Sequence, residues 1–202
     1  MVVGRRASRM VVVAVALGAL IGGCTDARPP VASPAPTGSP TTTPTPMSSA
    51  APPSTPDPAT PPTRPAAMAE PSAEGAAAAA GYFMSLYAYA NATGELSEWD
   101  TMSAPGCTFC AGVREDVESR RTAGLRNIGE VHVRSAAGTE VDAGRWYSAR
   151  LHVVIGESED VKDDGSIVEV HPPEDHEIDV VMTWTDASWI VDEVGPASGP
   201  TT

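Results

Sequence analysis

Cysteine is scarce in this 202-residue chain, with copies only at Cys24, Cys107 and Cys110. A zinc site on the Cys107–Cys110 pair would need two more ligands. The four histidines, His132, His152, His171 and His176, are scattered at strand-like positions without metal spacing, so no metal and no cofactor is expected. Long apolar sequence is also missing. The run Met10–Ile21 is shorter than the roughly 20 residues a helix needs to cross a hydrocarbon core, which excludes it as a permanent membrane span. Positive charge is thin beyond residue 71, where 8 Lys or Arg stand against 23 Asp or Glu, a net charge of −15. A surface so acidic repels nucleic acid and anionic lipid headgroups, so no nucleic-acid partner is expected. Basic partners or cations remain compatible with it, as does simple solvation.

What is present begins with a signal. Arg5, Arg6 and Arg9 form a positive stretch ahead of the apolar run, the order of a secretion signal over residues 1–23. The Arg5-Arg6 pair lacks the hydrophobic residues that a twin-arginine signal carries soon after it. The run closes on Ile21-Gly22-Gly23-Cys24, which resembles the lipobox of bacterial lipoproteins, with Ile21 where leucine is commoner. Small residues let a signal peptidase reach the backbone, and the Cys24 thiol accepts a diacylglyceryl group. The resemblance implies an extracytoplasmic protein anchored to the cell membrane by the lipid on Cys24.

Residues 24–71 change character. Fifteen of the 20 prolines lie between Thr25 and Pro71, among Thr, Ser and Ala. Such a segment buries too little apolar surface to offset its ordering entropy. It is expected to be a disordered, partly polyproline tether, with a reach between ~40 Å as a coil and ~150 Å extended.

Residues 72–198 read as one α+β domain, followed by a short tail, 199–202. Ala76, Ala80, Phe83, Tyr87 and Ala90 recur at helical spacing, and Gly94 ends that helix. Leu96, Trp99 and Met102 suggest a short second helix, stopped by Pro105-Gly106. A third runs from about Cys107 to Ala123, with Gly124 as its stop. Period two then takes over. Val131 and Val133 mark one strand, Trp146–Ile155 a second and Ile178–Trp184 a third. A tight turn at Asp186-Ala187-Ser188 leads into a last strand, Trp189–Val194. Helices first and strands afterwards predict three N-terminal helices packed on a curved antiparallel sheet.

That order resembles the cone-shaped, nuclear-transport-factor-two-like fold, and Trp184 through Val191 resembles the hairpin that closes many such domains. More narrowly, Gly75 through Cys110 resembles an actinobacterial lipoprotein family known as a domain of unknown function. The matching stretches are Gly81-Tyr82-Phe83, Ala90 through Glu95, and Trp99 leading to Cys107-Thr108-Phe109-Cys110.

Two cysteines three residues apart in an exported protein predict a structural disulfide clamping the second helix to the third. Helices flank the motif where a thioredoxin-type site has a βαβ context, which leaves thiol–disulfide exchange as the minor alternative. The loop Glu157–Gly165 is acidic, but Lys162 occupies a ligand position of the calcium-loop pattern and no glutamate closes it. It reads as a solvated hairpin turning at Asp164-Gly165. Two function classes follow. One is a non-catalytic binding or interaction module of the cell envelope, with an envelope protein or a small ligand as partner of the cone pocket. The other is a dehydratase- or isomerase-like site, for which Arg150, His152, Asp100 and Asp179 are the only candidates. No motif singles these four out, so no catalytic residue is assigned.

Overall fold

A computed structural model of the chain describes residues 57–199. The signal 1–23, Cys24, the tether as far as residue 56 and the end of the tail lie outside the described residues. Among the described residues there are three α-helices, α1 (Ala73–Thr93), α2 (Ser97–Met102) and α3 (Thr108–Thr122). Five strands follow: β1 (Leu125–Asp142), β2 (Trp146–Lys162), β3 (Ile167–His171), β4 (Glu174–Thr185) and β5 (Ser188–Pro196). The sheet is antiparallel, in the order β1-β2-β4-β5, with β3 pairing β2 beyond the end of β4.

Local chemistry sets the ends of α1. The Ser72 hydroxyl accepts from the Gly75 N–H at 3.0 Å, capping its first turn. Gly94 closes it at φ +79°, a conformation that costs a Cβ-bearing residue strain. Between these ends Ala76, Ala79, Ala80 and Ala90 are buried with Phe83 and Leu86. Small side chains let the helix lie close to β1 and β2. At the closest approach, a Cβ on Gly138 of β1 would run into the Ala73 carbonyl at the start of α1.

Aromatic groups fill the flanks. Phe83 stacks on Trp99 with ring centroids 4.1 Å apart, and Trp189 meets both Tyr147 and Trp184 edge-on at 5.0 Å. The turn between β4 and β5 carries positive φ at Asp186 and Ala187, the twist that two-residue hairpins require.

The expected disordered tether is corrected in its last part. Residues 57–71 are ordered and belong to the domain. Met68, in a 3-10 turn over Ala66–Ala69, is buried in the core. The Trp189 indole donates to the Met68 carbonyl at 2.9 Å, and the Tyr147 hydroxyl donates to the Pro71 carbonyl at 2.7 Å. Two buried aromatic donors thus find acceptors in the strap, and an indole or phenol buried without one is costly. Farther out, the Arg64 guanidinium pairs with Glu98 and lies 5.6 Å from the Tyr82 ring centre.

The strap moves the expected protease boundary. Limited proteolysis should leave a resistant core that begins upstream of Arg64, and N-terminal sequencing that finds Ser72 at its start would refute the docking. Gly138→Ala should destabilise the domain by about 1–3 kcal/mol through overpacking against α1, read as a lowered denaturant midpoint with an unchanged slope.

Candidate functional site

The concave face of the sheet is not fully covered. Between α1, the start of α3, the middle of β2, the start of β4 and the end of β5 lies a cleft of about 400 Å³. Met84 and Tyr87 line it from α1, Phe109 from α3, and Val153, Ile178 and Val194 from the sheet. Burial raises the Tyr87 hydroxyl pKa above its ordinary value, the cost of desolvating the phenolate. Polar groups stand at the mouth. Strand register places His176 opposite Val153 and Glu174 opposite Ile155, so both project on the cleft side, and their side chains meet at 2.7 Å.

The four candidates named from the sequence are not gathered in this cleft. Arg150 pairs with Asp179 across β2 and β4, on the opposite face from buried Leu151 and Val180. The guanidinium is bidentate, with both contacts at 2.9 Å, and also donates to the Ser198 carbonyl. His152, on the same outer face, meets Asp175 at 2.8 Å. Asp100 sits on α2 and pairs with Arg114 of α3. Sequence reasoning missed His176 and Glu174, although they continue the alternation Ile178-Val180-Met182 backwards along β4.

The cysteine pair is joined as a disulfide, with Cα atoms 5.2 Å apart. The expected clamp between the second and third helices is corrected. The bond closes the first turn of α3, where Cys107 is the cap and its sulfur accepts from the Cys110 N–H. Besides the Asp100–Arg114 pair, α2 and α3 are linked by the Trp99 indole, donating to the Cys110 carbonyl at 3.1 Å. Both cysteines are buried, at 1 % and 2 % exposure, so an attacking thiolate has no path to either sulfur.

A second polar group lies beyond the cleft, where β1, β2 and β3 run side by side. Asp160 faces Asn127 on one neighbour and Glu169 on the other. The carboxylates of Asp160 and Glu169 and the ring of His171 offer one ligand atom each within 4.8 Å of one another. Asn127 donates to Asp160 Oδ1 at 2.8 Å, and Arg120 Nε lies 3.6 Å from the same oxygen. Asn91 of α1 holds Arg120 in turn, accepting from its Nη1 at 2.9 Å. The adjoining acidic loop is the hairpin turn expected from the sequence, with Gly165 at φ +82° and the Ser166 N–H on Asp164.

The model of a family of unknown function, DUF6318, matches residues 50–195, and the chain belongs to that family. No curated protein matches. Among solved structures, the intermembrane-space region of the chloroplast protein ARC6 is 11 % identical, with a TM-score of 0.42. The match covers 61 % of this chain and 97 % of that one. An uncharacterised protein with a cystatin-like fold from Caulobacter vibrioides is 9 % identical, with a TM-score of 0.36. There the coverage is 57 % and 80 %.

The outer-face pair has a measurable titration. Hydrogen bonds from Arg150 hold the Asp179 carboxyl below the usual aspartate value; partial burial opposes them, and the Ser198 N–H adds to them. A lowered folded pKa contributes stability above the unfolded value and loses it as pH falls through the folded one. In Arg150→Met the Asp179 carboxyl should therefore titrate at higher pH than in the wild type. Carboxyl carbon-13 shifts read this directly, and an unchanged titration would mean that the pair is not formed in solution.

Proposed function

For this member of a family of unknown function, we propose a cell-envelope lipoprotein that displays a small, non-catalytic binding domain outside the membrane. Cys24 carries the lipid, the proline-rich residues after it space the domain from the bilayer, and the domain belongs to the cone-shaped, nuclear-transport-factor-two-like group. The reading also takes the chain as one of the actinobacterial lipoproteins its sequence resembles. The observation that carries the binding role is the cleft itself. Its wall is apolar and aromatic, and its charged groups, Glu174, His176 and Glu177, stand among the lining residues at the mouth. A concave apolar site with a few polar groups suits a small hydrophobic ligand or an apolar side chain of an envelope partner. No helix among the described residues is long and apolar enough to cross a membrane, which is compatible with attachment through acyl chains.

A second reading is favoured by one contact, the 2.7 Å approach of His176 to Glu174 beside the cleft. A carboxylate-oriented imidazole is the acid–base unit that isomerases and dehydratases use. Both side chains are largely open to solvent, whereas such units work best desolvated, so the binding role is preferred.

Two measurements test the proposal. Cys24→Ala should move the protein from the membrane fraction to the soluble one, and mass spectrometry that finds Cys24 unmodified in the wild type would refute the anchor. A neutral apolar dye such as Nile red should bind the wild type saturably, and Ile178→Asp should weaken that binding at least tenfold without unfolding the domain. Equal binding by both would remove the cleft as the ligand site.

A further inference from the structure

We propose that Asp160, Glu169 and His171 form a binding site for one divalent transition-metal ion, best suited to zinc. The site is separate from the cleft and does not depend on the function proposed for it.

The first observation is a contrast among the histidines, all four of which fall within the described residues. His132, His152 and His176 each sit 2.7–3.0 Å from a carboxylate oxygen, ordinary hydrogen-bond distances. His171 differs. Its Nε2 is closed off from solvent and makes no hydrogen bond among the described residues, and it lies 3.5 Å from Asp160 Oδ2. That is too long for a charge-assisted hydrogen bond. It matches the ~3.3–3.6 Å that separates two ligand atoms bound ~2.0–2.2 Å from a tetrahedral zinc.

The second observation is the pairing of like charges. Asp160 and Glu169 stand directly opposite each other on β2 and β3, a destabilising arrangement for carboxylates, and Asp160 is the one buried charged residue among the described residues. Arg120 offsets part of the Asp160 charge, and a dication between the two carboxylates offsets the remainder.

The third is the way Asp160 is held. Asn127 and Arg120 occupy the Oδ1 side and Asn91 fixes Arg120, leaving Oδ2 directed at His171. Outer groups that orient a ligating carboxylate in this manner are a regular part of metal sites. The donor set, one imidazole nitrogen and two carboxylate oxygens, suits zinc and its first-row neighbours. Calcium prefers six to eight oxygens. A bound ion would tie the β2–β3 hairpin together and, through Asp160, to Arg120 on α3.

The test is calorimetric titration of zinc chloride into the purified protein after stripping with EDTA. The wild type should show a saturable site, weakened at least tenfold by His171→Ala and by Glu169→Gln. His152→Ala removes an imidazole from the outer face and should leave that site intact. Zinc should also raise the melting temperature of the wild type but not of Glu169→Gln. Glu169 is exposed, so this variant keeps the test valid if His171→Ala fails to fold. Absence of saturable binding, or binding that Glu169→Gln leaves unchanged, would overturn the site.

Discussion

The close seating of α1 on the first two strands governs most of this structure. A helix whose buried side chains were mostly Leu or Ile would stand off the sheet. Ala76, Ala79, Ala80 and Ala90 let it come within backbone contact, and Gly138 keeps the β1 side of that contact free of a Cβ. Small residues leave little volume to fill the flanks, so the larger groups gather there. Phe83 and Trp99 stack toward α2, while Tyr147, Trp184 and Trp189 cluster under the strap. Buried indoles and phenols bring donors with them, and a buried donor needs an acceptor. Those acceptors come from Met68, Pro71 and Cys110. Docking of the strap and alignment of α3 are therefore consequences of how tightly one helix lies.

Legibility in the sequence followed the clarity of each physical signal. The helices were readable because their stops are unambiguous, Gly94 and Gly124 with positive φ and Pro105-Gly106 between α2 and α3. β2 was read only as far as Ile155 because the alternation changes phase there. A register shift between Gly129 and Val131 lets both Ile155 and Ser158 turn inward, which breaks a strict period of two. β3 gave no alternation at all, since Ile167, Val168 and Val170 are all exposed. The start of β4 is polar on both faces, which concealed Glu174 and His176. The strap has the composition of a linker, and little besides Arg64 and Met68 distinguishes it from one.

The charge distribution separates the two faces of the sheet. On the outer face, Arg150, His152, Asp175 and Asp179 pair across strands in solvent, where such pairs contribute little to stability. They are arranged as a half-exposed sheet surface arranges charge, which is why the alternation that exposed them in the sequence carried no functional information. The inner face has few charges. Those it has are displaced to its ends, among them His176 and Glu174 at the cleft mouth and Asp160, Glu169 and His171 where β2 pairs with β3.

One irregularity in β2 sets both inner environments. Up to Ile155 the odd-numbered residues face the helices and are apolar, forming the wall of the cleft. Past the shift the even-numbered Ser158 and Asp160 face inward, and the same side of the strand becomes polar. The helix above follows the change within one turn. Tyr87 lines the cleft, and Asn91, four residues later, is bonded to Arg120 over Asp160. A strand without the bulge would carry the odd residues Glu157 and Glu159 inward and leave Asp160 outside, beyond reach of Arg120. The bulge thus fixes where the apolar wall stops and lets an acidic segment lie against a helix without burying an unpaired charge.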